Sequence, residues 1–270
     1  MFEKILENVM EKTPLVHCIT NYVTVNDVAN MVLACGGSPI MADDAAEVEE
    51  ITSLCTALVI NIGTLNERTI ESMLRAGLRA NELGRPVILD PVGAGASSLR
   101  TQTALRLLDE LDIAVVRGNS SEIRALATGM GKTSGVDANA ADAVTEENLP
   151  QMTAFSEQFA QQMNTVVAIT GAIDLVADGK VCYTIRNGCA QMSKITGTGC
   201  MLTGVLGAYC GANPDMLLEA AAAAVCAMGC CGEQAAAQSA GTGSMRVALI
   251  DAMNRLDAKT LEGGMKLEVR

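Results

Sequence analysis

The chain predicts an α/β layered fold, a mostly parallel sheet with helices on both faces, and three observations carry that reading. Short β-rich runs alternate with longer helical patterns. The runs are apolar throughout instead of alternating apolar with polar, as strands buried on both sides must be. Length is the third: 270 residues without internal repeats or a low-complexity tail suit one domain, residues 1–270, with a generous core.

The opening, Met1-Phe2-Glu3-Lys4-Ile5-Leu6-Glu7, is the start of an amphipathic helix. Strands are expected at Leu15–Ile19, Pro39–Met41, Ala57–Ile62, Val87–Asp90, Ile113–Arg117 and Val166–Thr170. Helices are expected between them, near 25–35, 45–54, 66–83, 99–109, 120–128 and 145–163. Asp178-Gly179, flanked by Leu175-Val176-Ala177 and Val181-Cys182-Tyr183, predicts a hairpin that adds antiparallel strands at one edge. Beyond Gly197 the chain reads as nearly all helix, at 200–211, 215–237 and 243–256. The Ala-rich segment 215–237 suits either internal packing or a seam between subunits. The polar stretch Gly131–Glu147 reads as a loop followed by a helix start.

Composition removes several function classes. Hydrophobic residues make up 49% of the chain but aromatics only 2%, so the interior is built from aliphatic, Met and Cys side chains. A net charge of −12 opposes nucleic acid or an anionic membrane surface as partner. No run of about 18 apolar residues predicts a membrane span. Ten cysteines, with no signal peptide read at the N-terminus, predict a reducing cytosol and hence a cytoplasmic protein. No Cys-x-x-Cys pair is present, and Cys226, Cys230 and Cys231 lie on one helix without a nearby His, which makes a poor zinc site.

Chemistry concentrates at expected strand ends, where parallel α/β sheets bind ligands. Asp90 ends the fourth strand before Pro91-Val92-Gly93-Ala94-Gly95, and is either a Mg²⁺ ligand or a turn-capping Asp. Arg117 ends the fifth as a guanidinium suited to phosphate. Of the residues that follow it, Asn119 or Ser120 caps the next helix, with Glu122 in its first turn as the capping partner. Thr170 ends the sixth. Gly197-Thr198-Gly199-Cys200 precedes an apolar helix. That stretch is either a tight strand–helix turn or a cup of N–H groups for phosphate, with the Cys200 thiol drawn towards about 7 by the helix N-terminus. On a parallel sheet, Asp90, Arg117, Glu122, Thr170 and the cup share one rim, the parts needed for phosphoryl transfer.

Two other features are set aside. Gly129-Met130-Gly131-Lys132-Thr133 resembles the end of a P-loop, but Leu126 stands where that motif needs Gly. His17, the single histidine, sits on a buried-looking strand without a Ser or Asp elbow, and reads as structural.

Assembled, these residues resemble the hydroxyethylthiazole kinase family of the ribokinase-like superfamily. The resemblance runs nearly end to end. It is carried by Pro14-Leu15-Val16-His17-Cys18-Ile19-Thr20-Asn21-Tyr22-Val23, Ser38-Pro39-Ile40-Met41-Ala42, Leu89-Asp90-Pro91-Val92-Gly93-Ala94-Gly95, Arg117-Gly118-Asn119-Ser120-Ser121-Glu122 and Gly197-Thr198-Gly199-Cys200. Cys200 stands where related sugar and pyrimidine kinases carry Asp. The resemblance implies ATP- and Mg²⁺-dependent phosphorylation of 4-methyl-5-(2-hydroxyethyl)thiazole in thiamine salvage, by a homotrimer that binds the thiazole between subunits. It also implies that Asn21, Met41, Gly197 and Cys200 line the thiazole pocket, that Arg117, Thr170 and Asn119 face ATP, and that Asp90 and Glu122 sit on the metal side. Gly197, Gly199 and Cys200 then form the catalytic loop. Rival readings are a hydroxymethylpyrimidine kinase, a lyase acting on hydrated nicotinamide nucleotides, and a nucleotide-binding regulator without catalysis.

Overall fold

A computed structural model of the chain describes residues 1–129 and 143–270. Among these residues nine strands form one sheet: β1 Leu15–Ile19, β2 Ser38–Ile40, β3 Ala57–Asn61, β4 Val87–Asp90, β5 Val115–Asn119, β6 Val166–Thr170, β7 Asp174–Ala177, β8 Cys182–Ile185 and β9 Leu267–Val269. Their order is β2-β1-β3-β4-β5-β6-β7-β8-β9. Pairings from β2 through β6 are parallel, and β6–β7, β7–β8 and β8–β9 are antiparallel. The mostly parallel sheet and its hairpin edge are as the sequence predicts.

Alternate side chains of each strand enter one of two cores. Val16, Val59 and Ile88 face a core built with α1 Phe2–Lys12, α2 Val25–Ala34, α8 Thr198–Ala212, α9 Leu217–Gln238, α10 Thr242–Asn254 and α11 Ala258–Gly264. Leu58, Ile60 and Leu89 face the other, closed by α3 Val48–Leu54, α4 Glu67–Glu82, α5 Ser98–Glu110, α6 Ser120–Thr128 and α7 Leu149–Met163. With apolar partners on both faces, the parallel strands are apolar through most of their length and turn polar chiefly where they end. The Ala-rich α9 packs internally against α8 and α10, and 15 of its 22 residues are buried. It is long and apolar enough to cross a membrane by composition, yet 78% of its apolar window is covered by the fold.

Several boundaries differ from expectation for local reasons. The helix expected from 145 starts at Leu149, because Asn148 Oδ1 accepts the Thr145 N–H in a turn and Pro150 suits only a first helical turn. An Asp44 turn, with Oδ1 accepting the Ala46 N–H, delays α3 to Val48. Strand β5 is displaced two residues, since its pairing with β6 runs from Val115–Val166 to Asn119–Thr170. Helix α11 and strand β9 lie beyond what the sequence reading reached. A three-residue edge strand after Gly263-Gly264 has no measurable period. The P-loop-like Gly131-Lys132-Thr133 and most of the polar stretch Gly131–Glu147 fall outside the described residues.

His17 is structural. Its ring is fully buried, with Nδ1 2.9 Å from Thr52 Oγ1 and Nε2 2.8 Å from the Ala42 carbonyl. Burial holds its pKa below the ordinary value, against the raising effect of the Ala42 hydrogen bond. Below about pH 6.5 the unfolded chain gains a proton there that the folded chain resists, so stability falls as pH drops. His17→Gln keeps both hydrogen-bonding ends and cannot titrate. Thermal melts from pH 7 to 5 are expected to show a shallower loss for this variant than for the unaltered chain.

Candidate active site

Strands β3 to β6 end on one edge of the sheet, and the N-terminus of α8 meets them there. Gly197 precedes α8 with φ +88°, in the left-handed region where a side chain is strained, and a Cβ would meet Thr24 Cβ at 2.9 Å. The first intrahelical bond runs from the Met201 N–H to the Gly197 carbonyl at 2.8 Å. The N–H groups of Thr198, Gly199 and Cys200 therefore open the helix without intrahelical partners, a seat for an anion. Gly199 lets a guanidinium lie against this turn. A Cβ there would collide with Arg117, reaching Nη2 at 2.6 Å.

Arg117 is placed mid-strand on β5 and not at its tip, as the displaced strand requires. Its Nη2 donates to Thr170 Oγ1 at 2.6 Å, and its Nη1 lies 3.5 Å from Asp90 Oδ1. Asp90 is fully buried. Its Oδ2 accepts from Asn61 Nδ2 and Thr203 Oγ1, each at 2.8 Å, while Oδ1 has no hydrogen-bond partner. Burial drives the Asp90 carboxyl up, opposed chiefly by Arg117 and then by the Thr203 and Asn61 hydrogen bonds.

A chain of carboxamides leads from Asp90 to Cys200. Asn61 divides its Nδ2 hydrogens between Asp90 and Cys200 Sγ at 3.3 Å. Asn21 divides its own between Asn61 Oδ1 at 3.1 Å and the same sulfur at 3.2 Å. Asn21 Oδ1 in turn accepts from the N–H groups of Val23 and Thr24 and from Thr24 Oγ1, which fixes the amide's orientation. The sulfur is thus presented as an acceptor. Its titration differs from the sequence expectation: burial and the Asp90 charge push the thiol up, outweighing Thr24, Arg117 and Asn21. The helix field does not make Cys200 a thiolate, because the site that supplies the field also removes water and adds a carboxylate.

Asn119 and Glu122 form the capping box of α6, with Asn119 Oδ1 accepting the Glu122 N–H at 2.9 Å and Glu122 Oε2 accepting the Asn119 N–H at 2.8 Å. Glu122 Oε1 also accepts the Gly93 N–H at 2.8 Å, tying the glycine turn after Asp90 to α6. Burial and then Asp90 push the Glu122 carboxyl up to about 7, against Gly93, Arg117 and Asn119.

A cavity of about 580 Å³ opens beside this edge. Arg117, Asn119, Thr170, Thr198 and Gly199 are part of its lining, as are the apolar Leu202, Val225 and Met228 and, beside them, Gly229. Asn21, Met41, Gly197, Cys200, Asp90 and Glu122 do not line it. The expected site residues therefore divide in two around the first turn of α8. Met41, just past β2, is partly buried against the core on the α8 face of the sheet, and no polar contact ties it to Cys200.

The sequence reading missed Asn61, Thr203 and Asp174. Asn61 carried a usable signal, a polar residue ending an apolar strand as Asp90 does. Thr203 is a hydroxyl one turn into a buried helix, a placement that tertiary packing alone makes meaningful.

This geometry has relatives. A sequence model of the hydroxyethylthiazole kinase family matches residues 6–259. The chain is 55% identical to a hydroxyethylthiazole kinase of Clostridium acetobutylicum over 99% of each chain, and 52% identical to one of Desulfovibrio desulfuricans over 97% of this chain and 95% of the relative. Among solved structures, a hydroxyethylthiazole kinase from Pyrococcus horikoshii OT3 superposes with a TM-score of 0.90 at 36% identity, covering 100% of this chain and 98% of that one. A ribokinase-like superfamily protein of Enterococcus faecalis, 11% identical with a TM-score of 0.64 over 94% of this chain and 89% of its own, shares the fold. The chain belongs to the hydroxyethylthiazole kinase family.

Proposed function

We propose that the chain transfers the γ-phosphoryl group of ATP to the hydroxyethyl oxygen of 4-methyl-5-(2-hydroxyethyl)thiazole, forming the thiazole phosphate and ADP in thiamine salvage. One observation carries the reading beyond family membership: a single helical turn serves two sides. Gly199, with Arg117 against it, faces the 580 Å³ cavity, while the next residue, Cys200, is held by Asn21 and Asn61 outside it. A donor nucleotide and an acceptor alcohol can then meet across the amides of Thr198, Gly199 and Cys200.

In this reading Arg117, Thr170 and Asn119 bind the nucleotide, and Asn21, Met41, Gly197 and Cys200 bind the thiazole alcohol. Asp90 and Glu122 are the residues that would hold Mg²⁺. The fit is supported by Asp90 Oδ1, buried with no hydrogen bond and only the 3.5 Å ion pair to Arg117. Among the described residues no cluster of three or more His, Cys, Asp or Glu side chains forms a metal cage, which suits an ion that keeps most of its waters. When bound, Mg²⁺ would offset charge on the phosphates. Arg117 and the three helix N–H groups stabilise charge on the migrating phosphoryl oxygens, with no reorganisation needed at the moment of transfer. Phosphoryl transfer is loose, so the alcohol need not lose its proton early, and a neutral Cys200 acts mainly by orienting the hydroxyl.

The same reading places the thiazole side at a boundary between copies in a homotrimer. Tyr22 and Val23, 57% and 68% exposed beside Asn21, are apolar surface for a neighbouring copy to cover. Ten unpaired thiols fit the cytoplasm.

The deciding assay follows ADP release. ADP is expected only when the thiazole alcohol is supplied, and far less with the hydroxymethyl pyrimidine. ADP formation independent of the thiazole, or a preference for the pyrimidine, would overturn the assignment. A graded result is expected at Cys200. Cys200→Ala should keep measurable activity, reduced by about 10–100-fold in kcat, because the amides and Arg117 remain. Cys200→Asp should match or exceed the unaltered enzyme, since the Asn21 and Asn61 N–H groups that now face sulfur would orient a carboxylate. An Ala variant as inactive as a glycine-loop variant would mean that the thiol does more than orient.

A further inference from the structure

The cavity wall holds one acidic side chain to which the phosphoryl-transfer chemistry gives no part. Asp174 opens β7, is only 9% exposed, and that exposure faces the cavity. Its Oδ1 accepts the Gly171 N–H at 2.7 Å, which closes the turn after Thr170. Among the described residues its Oδ2 has no hydrogen-bond partner.

The oxygens of the wall's two carboxamides are engaged by the fold. Asn187 donates to the Gly264 carbonyl at 2.8 Å and Cys230 Sγ at 3.2 Å, and accepts the Lys266 N–H at 2.8 Å. Asn119 Oδ1 caps α6. Asp174 thus presents a carboxylate oxygen able to receive a hydrogen bond from a ligand in this cavity. Phosphate has no hydrogen to give and is repelled by a carboxylate. It has its own seat at Arg117 and the helix N–H groups. The apolar lining residues Leu202, Val225 and Met228 suit the face of a base, which stacks without needing a carboxylate. What lies between phosphate and base in a nucleotide is the sugar, whose vicinal hydroxyls are donors. Asp174 stands between these two groups of residues: its carboxylate is tied to the turn that follows Thr170, the partner of Arg117, and its strand β7 packs against α9, the helix that supplies Val225 and Met228.

We propose that Asp174 is a specificity residue for the donor nucleotide, its free carboxylate oxygen accepting a hydrogen bond from a ribose hydroxyl and so selecting ribonucleoside over deoxyribonucleoside triphosphates. This rests on the kinase reading above. Burial pushes the carboxyl up to about 7, against the Gly171 N–H and Arg117, so at pH 8 it is largely ionised and an acceptor.

The test is steady-state kinetics at pH 8 with the thiazole alcohol and ATP, 2′-deoxyATP, 3′-deoxyATP or inosine triphosphate, for the unaltered enzyme and Asp174→Asn. The Asn variant can still accept the Gly171 N–H but turns an N–H towards the cavity. The unaltered enzyme is expected to favour ATP over at least one deoxy analogue by about tenfold or more in kcat/KM, the scale of a charge-assisted hydrogen bond. Asp174→Asn should collapse that ratio towards one by losing activity with ATP while leaving the deoxy analogue nearly unchanged. It should leave the ATP-to-inosine-triphosphate ratio as it was. Equal use of ATP and both deoxy analogues by the unaltered enzyme overturns the proposal, as does a ratio that survives the substitution. A variant effect confined to the inosine comparison also overturns it, since the carboxylate would then read the base. None of these outcomes touches the kinase assignment, which fails separately if ATP and the thiazole alcohol give no ADP.

Discussion

Replacing Gly199 with valine is expected to lower kcat/KM for ATP by about 10²–10³-fold while the chain stays folded, the scale of removing a preorganised donor from a transition-state site. The reason is the contact between this residue and Arg117. A Cβ at position 199 would overlap the guanidinium, 2.6 Å from Nη2 and 2.8 Å from Cζ, and the branched methyls of valine add to the overlap. Arg117 cannot yield cheaply, because Thr170 Oγ1 holds it at 2.6 Å and Asp90 lies behind it. Either the guanidinium leaves its partners or the first turn of α8 tilts away, and both uncouple the phosphate seat from the cavity. Gly199→Ala should fall between. Gly243→Ala is the control, a glycine in α10 whose Cβ would meet open space, and it should leave kinetics unchanged. Circular dichroism and thermal melts near the unaltered values would show that the loss is local. Near-normal activity in the valine variant would mean that the cup does not hold the migrating group.

Much of this site was legible in the sequence, for a physical reason. A parallel sheet puts its C-terminal strand ends on one edge, so a polar residue that terminates an apolar run already has an address. Asp90 and Thr170 were placed that way, and Gly197 and Gly199 were visible because backbone shape demands glycine where a left-handed residue or a close approach occurs. Partnership was not legible. That Asn61 joins Asp90 to Cys200 depends on β3 lying beside β4, and strand order cannot be read from periodicity. Electrostatics were misjudged for the same reason. Local sequence shows the helix N-terminus that favours a thiolate at Cys200, but not the burial and the Asp90 charge that oppose it. Asp174 was hidden by its position at the start of a hairpin strand, where an acidic residue reads as turn chemistry.

Substituting Arg117 with methionine is the other change of largest expected effect, and it should act on rate and stability in different ways. One guanidinium serves three buried carboxyls: it lowers the pKa of Asp90, Glu122 and Asp174 against burial that drives all three up. Its loss removes a phosphate-binding cation and the partner of Thr170 together, so kcat/KM should fall by about 10³-fold or more. Arg117→Lys keeps charge without the planar fork and should recover only part of this. For stability the sign follows from linkage. A carboxyl whose folded pKa lies above its unfolded value binds protons more tightly when folded, and stabilises most at low pH. That stability is lost as pH rises through the folded pKa, about 7 for Glu122 and Asp174. Without Arg117 those folded values climb further. Near pH 5 Glu122 and Asp174 are protonated in either chain, so the methionine variant should lose least there. By pH 8 the unaltered chain has a cation beside its ionised carboxylates and the variant has none, a deficit of roughly 3–5 kcal/mol for an uncompensated buried charge. Denaturant titrations at both pH values, with a chelator present to exclude metal, measure that divergence. A deficit independent of pH would mean that Arg117 supports the fold by packing and not by its charge.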